Sequence, residues 1–409
     1  MSTKLKVTIL ASSLAILLFT FVGGFVSVRA SSNDGAYHQL SVYSEVLSRI
    51  RGDYVEEPNI SGVTEGALHG LLESLDANSS YLSAAEYKRY KAMKPEGKAD
   101  IGAYVSKRFG YADVVAVIPG GPADKAGIEN GDILESIESK STHDMSLAEI
   151  RTSLLGDTGT TVTVSVVRPR KAEPQKMVIT RDVAQIPAAT DKMMADNIGY
   201  IKVEGFPQGK SEEIAGKIRE LQKQGAKKLV LDLRNSAGGE ESEGIATANL
   251  FLDHGTITYL QGQKFPRQAF NADPAKDVTK LPVAVVVNRG TAGPAEVVAA
   301  AILENARGDV VGDKTFGDGS VQKTIEMRDG AGALILSVAK YYSPGGKSIQ
   351  DAAVTPNVQI ADVEDDAGLP DEEGAQPATP QEKNAKPKNT IDEQLNKAIE
   401  VLKNRESKG

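Results

Sequence analysis

The side chains able to do acid–base or covalent chemistry are unevenly spread along this sequence. It contains no cysteine, which excludes a thiolate nucleophile, a thiolate metal site and a disulfide framework. Its four histidines, His38, His69, His143 and His254, stand far apart without metal-ligand spacing, so each reads as structural or surface. Hydroxyl, carboxyl and amine groups remain, and the stretch from Asn288 to Gln322 holds all three kinds. Thr291, Ser320 and Lys314 are the candidates there for a hydroxyl nucleophile and an amine base. A hydroxyl attacks only when a neighbour removes its proton. Lys314 precedes Asp318 by four residues, a span of about 13 Å if extended. A Ser/Lys pair would also need an oxyanion hole. Asp232 with Asp318 or Glu296 would make a carboxylate pair. The simpler expectation is that Asp232 pairs with Arg234, and that Glu296 lies in the first turn of a helix, where its charge is favourable.

The elements that must position these groups are legible around them. Pro282–Val287 is apolar and β-branched, as in a strand covered on both faces. Gly293-Pro294 makes a helix start, because proline at the first helical position loses no hydrogen bond. Ala295–Asn305 has no breaker and reads as a buried helix, followed by a second strand and a glycine-rich loop. Upstream, Tyr200–Val203 and Leu229–Arg234 read as strands. Ser211–Gln224 is a helix with Ile214, Ile218 and Leu221 on one face, ended by Gly225. Ala333–Tyr342 reads as a further strand. This alternation predicts α/β layers.

These stretches resemble the core of the carboxyl-terminal processing peptidases, or tail-specific proteases. That family carries a Ser/Lys dyad, with the serine in a strand-to-helix turn and the lysine in a Thr-Phe-Gly-Lys-Gly-x-x-Gln loop. The first motif here reads Asn288-Arg289-Gly290-Thr291-Ala292-Gly293-Pro294-Ala295-Glu296, and the second Thr315-Phe316-Gly317-Asp318-Gly319-Ser320-Val321-Gln322. The resemblance therefore places Gly293 at the nucleophile position and Asp318 at the general-base position, with Gln322 retained. Leu231-Asp232-Leu233-Arg234-Asn235, followed by Gly238-Gly239, matches the family's second oxyanion loop, with Ala237, Glu240 and Glu241 replacing the usual proline and hydrophobic residues. The first oxyanion donor falls on Pro294, which has no backbone N–H. Losing one such donor costs roughly 10²–10³ in rate, and losing a serine nucleophile costs on the order of 10⁶. The resemblance also implies the fold, a ClpP/crotonase-like β-β-α spiral core (185–361) with an inserted PDZ domain and an N-terminal helical region.

The PDZ expectation (97–184) rests on Gly121-Pro122-Ala123-Asp124-Lys125-Ala126-Gly127-Ile128-Glu129-Asn130-Gly131-Asp132-Ile133-Leu134. This reads as a turn, a short helix ended by Gly127, a tight turn and a strand, and Thr160–Val167 alternates like another strand. Such domains add a peptide to a sheet edge. The loop matching the one that holds the terminal carboxylate is Ile101-Gly102-Ala103-Tyr104. The helical region (33–96) shows Leu40, Tyr43, Leu47 and Ile50 at helical spacing, and Ser61 and Thr64 as caps. In Leu75-Asp76-Ala77-Asn78-Ser79-Ser80-Tyr81, also a family feature, Asp76 and Ser79 are expected to cap the next helix.

The chain has 409 residues, 40% of them hydrophobic and 25% charged, enough for two or three globular domains. Its net charge of −8 argues against a nucleic-acid partner. Lys4 and Lys6 precede an uncharged run from Val7 to Val28, so residues 1–32 read as a signal anchor or a cleaved signal peptide. The anchor is favoured because the run exceeds a usual signal core. The body is then exported, facing the periplasm or outside. Residues 362–389 form an acidic, Pro-rich linker expected to be disordered. Thr390-Ile391-Asp392-Glu393 reads as a capping box opening a final helix (390–409), to dock on the core or a second subunit. The expected function is that of a proteolytically impaired homologue with no cofactor and no metal. It would bind carboxyl-terminal or unfolded segments of envelope proteins, or regulate an active relative, and could form a homo-oligomer. An endopeptidase with displaced catalytic residues and a structural assembly subunit are the alternatives.

Overall fold

The computed structural model describes residues 34–93, 98–108, 110–168, 171–361 and 392–406. The expected export segment (1–32) and acidic linker (362–389) lie outside them. The chain divides into two units, residues 1–68 and 69–409. The first holds helix α1 (Asp34–Asp53) and most of α2 (Ile60–Glu73). The α1 periodicity is as expected, but Leu40 and Tyr43 are exposed. Asn59 caps α2 by accepting from the Gly62 N–H, in place of the expected Ser61 and Thr64. No helix among the described residues is long and apolar enough to cross a membrane.

The second unit opens with β1 (Ser80–Leu82) and α3 (Ala84–Ala92), the latter capped by Ser83 and Glu86. Asp76 does not cap a helix. Its carboxylate accepts from the Asn78 and Ser79 N–H groups and so turns the chain into β1.

A six-stranded antiparallel sheet follows, in the order β2-β3-β4-β6-β7 with β5 beside β4. Its strands are β2 (Ala103–Arg108), β3 (Tyr111–Val117), β4 (Ile133–Ile137), β5 (Lys140–Ser141), β6 (Thr161–Arg168) and β7 (Lys171–Thr180). Helices α4 (Pro122–Ala126) and α5 (Leu147–Leu154) cover it. Gly127 ends α4 at φ 81°, a conformation glycine takes without strain. Ile101, Val105, Val114, Leu134, Ile150 and Val164 belong to this layer's core.

The larger core is a mostly parallel sheet, order β17-β14-β13-β10-β9-β8. It comprises β8 (Thr190–Met194), β9 (Ile198–Lys202), β10 (Lys228–Asp232), β13 (Val283–Val287), β14 (Gly308–Gly312) and β17 (Val358–Gln359). Helix α6 (Lys210–Lys223) buries Ile214, Ile218 and Leu221 in the core cluster of this sheet, and α7 (Glu241–Asn249) and α8 (Pro294–Glu304) join it. Strands β10 and β13 are buried throughout, as continuous apolar runs in a doubly covered sheet should be. Helix α9 (Glu393–Glu406) docks on this body, burying Ala398 and Leu402 against Val230, Val286 and Val311. Asp392 caps it through the Leu395 N–H. Arg234 clamps that cap with two 2.8 Å bonds to Asp392. A second, antiparallel sheet holds β1, β11 (Thr256–Gln261), β12 (Gln268–Asn271), β15 (Ser320–Glu326) and β16 (Ala333–Tyr342).

Candidate active-site cleft

Two strand-to-helix turns build the site side by side. Strands β10 and β13 are parallel neighbours, so the turns after Asp232 and Val287 emerge together at their carboxyl ends, where α/β sheets place ligands. Asn288 ties them: its side-chain oxygen accepts from the Asn235 N–H at 2.9 Å, and its amide donates to the Asn235 side chain at 2.8 Å. Gly239 belongs to the first turn for a packing reason, since a Cβ there would meet the Phe206 carbonyl at 2.2 Å. Gly238 has φ 76° and lies against the Tyr104 ring.

The second turn is sharp. Gly293 has φ 60° and ψ −121° and precedes Pro294, the first residue of α8. Its backbone is strained for any residue but glycine. Glu296, fully buried in the first turn of α8, does more than complement the helix dipole. Its carboxylate accepts from the N–H groups of Gly293 (3.0 Å), Gly317 (2.8 Å) and Asp318 (2.8 Å), and from the Thr315 hydroxyl. One carboxylate therefore fixes the loop 315–318 beside the turn. Phe316 and Tyr104 both pack against the cluster of Val115, Ala116, Ala237 and Ala292, which joins β3 to both turns.

Among the described residues the candidate nucleophiles and bases do not bond to one another. Thr291 is fully buried, and its hydroxyl donates to the Leu233 carbonyl at 2.8 Å, which makes it structural. Lys314 is exposed and its N–H bonds to Asp313. Ser320 accepts from Asn78 (3.1 Å) and Gln322 (2.7 Å). Asp232 is paired with Arg234, at 2.6 Å, and is not part of a carboxylate dyad. Asp318 accepts from the Tyr104 hydroxyl and, at 3.2 Å, from Asn78. Burial and then the Asp318 charge raise the Tyr104 phenol well above its ordinary value.

Tyr104, Asn78 and Glu241 are the cleft residues that the sequence pattern did not single out for this place. A Cβ at position 293 would have the Glu241 Oε1 at 3.5 Å as its nearest contact. Glu241 Oε2 is shut from solvent and has no hydrogen-bond partner. Burial first, then the charges of Asp318 and Glu296, push the Glu241 carboxyl up to about 8. Because that value exceeds the unfolded one, folding holds a proton the unfolded chain releases. Stability is fully present below the unfolded value of 4.5 and is lost as pH rises towards about 8. Glu241→Gln should therefore match the parent in thermal unfolding at pH 4.5 and exceed it by several degrees at pH 9. An equal Tm at both pH values would show that the group is not buried as described.

The loop Ile101-Gly102-Ala103-Tyr104 is already engaged within the chain. The Gly102 N–H donates to Asp100 at 2.7 Å, and the Ile101 and Gly102 carbonyls accept from Ala123 and Ile118. On the edge strand β2, the Val105 carbonyl accepts from Arg151 at 3.2 Å.

The fold and paired turns define a PDZ-containing peptidase scaffold. The profile of peptidase family S41 matches residues 197–360, and a PDZ profile matches 114–168. The chain is 31% identical over 370 residues to the carboxy-terminal processing protease CtpA of Bacillus subtilis, covering 89% of this chain and 78% of that protein. It is 30% identical over 339 residues to a carboxy-terminal-processing protease of Bartonella bacilliformis, covering 82% and 78%. A solved photosystem II D1 C-terminal processing protease superposes with a TM-score of 0.64 at 25% identity, covering 78% of this chain and 92% of that one. The chain belongs to the carboxyl-terminal processing proteases of peptidase family S41.

Proposed function

We propose that this chain is a proteolytically impaired member of that family, exported through its N-terminal segment. It binds carboxyl-terminal or unfolded segments of envelope proteins, or regulates an active relative. One observation carries the reading. The turn that would present the nucleophile holds Gly293 and Pro294, and the loop held beside it presents Asp318. A glycine cannot attack, a proline nitrogen cannot donate to an oxyanion, and a carboxylate cannot act as a neutral amine. The relatives' activity supports polypeptide as the ligand class. The edge strand β2 supports capture by strand addition, for which the peptide must displace Arg151 from the Val105 carbonyl.

The test is incubation of the purified chain with an unfolded protein, followed by electrophoresis, beside titration with peptides whose carboxyl terminus is free or amidated. No cleavage and preferred binding of the free terminus are expected. Turnover abolished by Ser320→Ala would establish displaced catalysis instead. Absence of both cleavage and binding would leave a structural subunit.

A further inference from the structure

The binding reading above leaves the ligand's side chains unspecified, and the cleft's charge deepens it. Three carboxyl groups, Glu241, Glu296 and Asp318, surround the Gly293 turn. Glu296 is saturated by its donors. Asp318 receives only neutral donors, from Tyr104 and Asn78. Glu241 has one oxygen 3.5 Å from the bare Cβ position of Gly293 and the other enclosed without a partner. Among the described residues no lysine or arginine bonds to Glu241 or Asp318. Arg151 lies over the Tyr104 ring at 5.5 Å and is committed to β2. Enclosed without a counter-charge, Glu241 holds its proton, and an arriving ammonium lets it release that proton to solvent and form a charge-assisted pair.

We propose that the cleft receives a lysine side chain of the bound polypeptide, its ammonium bridging Glu241 and Asp318 beside Gly293. An ammonium is a compact charge with three donors on a slender stem. It suits the space left by one missing side chain, where Glu241 Oε1 lies 3.5 Å from the bare Cβ position of Gly293. The broad planar fork of arginine suits that opening less well.

The test is a fluorescence anisotropy titration of the full chain at 0.15 M salt, where surface attraction is screened. The probes are labelled unstructured ten-residue peptides with a free carboxyl terminus, in which a single lysine is moved through every position and then replaced by norleucine or arginine. At its best position the lysine peptide should bind at least about tenfold tighter than its norleucine counterpart, roughly 1.4 kcal/mol. Glu241→Gln and Asp318→Asn should each remove most of that ratio. Thermal unfolding confirms that both variants are folded. Equal binding of lysine and norleucine peptides overturns the lysine assignment and leaves the binding reading standing. So does a lysine preference that survives both substitutions, or arginine binding more tightly than lysine. Failure of every peptide to bind overturns the binding reading itself, and this inference with it.

Discussion

Placing Gly293→Ser, Pro294→Ala and Asp318→Lys in one chain is expected to leave proteolysis silent, and adding Glu241→Leu is expected to switch it on. The three changes return the nucleophile, the missing N–H and the amine. They do not return the amine's protonation state. A base lysine must be neutral, and desolvation beside apolar groups is what lowers its pKa. Asp318 is close enough to Glu241 for its charge to raise that carboxyl, so a lysine at 318 would pair with Glu241 and stay protonated. A serine at 293 would also find its Cβ at 3.5 Å from Glu241 Oε1 and donate its proton there. Leucine at 241 removes both traps. Because loss of a serine nucleophile costs on the order of 10⁶ in rate, even partial restoration should be visible as cleavage of an unfolded substrate. Activity in the triple variant would mean that Glu241 does not control the site. Silence in a folded quadruple variant would place the fault elsewhere, with the Tyr104 contact over the cleft the first place to look.

The sequence made the scaffold legible wherever structure follows from local pattern. The apolar run before Asn288 suits a doubly covered strand and proline after glycine suits a helix start, and the structure has both. The C-terminal helix was legible through its periodicity, though not which surface it would cover. That surface is set by the buried face of β10, β13 and β14. The cleft was legible as far as its motifs. Its contacts were not, because they join residues distant in sequence: Asn78 reaches Asp318 and Tyr104 reaches the same carboxylate. Asp76 shows why a local reading fails. A carboxylate accepting from N–H groups two and three residues on serves a helix cap and an isolated turn equally well. Pairing of Ser80 with Ile335 then decides for a strand. Glu296 is legible as a first-turn acid, but the weight it carries comes from a loop about twenty residues away.

That weight is measurable without any catalytic assay. Replacing Glu296 by leucine strands four buried donors: the N–H groups of Gly293, Gly317 and Asp318, and the Thr315 hydroxyl. A buried donor left unpaired costs about 1–3 kcal/mol, so the loss should be at least about 4 kcal/mol. At the size of this core that corresponds to a fall in Tm of about 10 °C or more. Glutamine separates hydrogen bonding from packing. It keeps the shape but offers one acceptor oxygen, and each Glu296 oxygen now serves two donors: Oε1 takes Thr315 and Gly317, and Oε2 takes Gly293 and Asp318. The amide group must therefore face at least one backbone N–H whichever way it turns, and Glu296→Gln should fall between the parent and Glu296→Leu. The damage should spread beyond the turn, because Thr315 Oγ also accepts from the Val354 N–H at 2.8 Å and so relays the carboxylate to the loop before β17. Hydrogen exchange at Gly317, Asp318 and Val354 should rise together in both variants. If those amides stay protected and the Tm holds in Glu296→Leu, packing of Phe316 alone keeps the loop in place, and the carboxylate is not what maintains the cleft's shape.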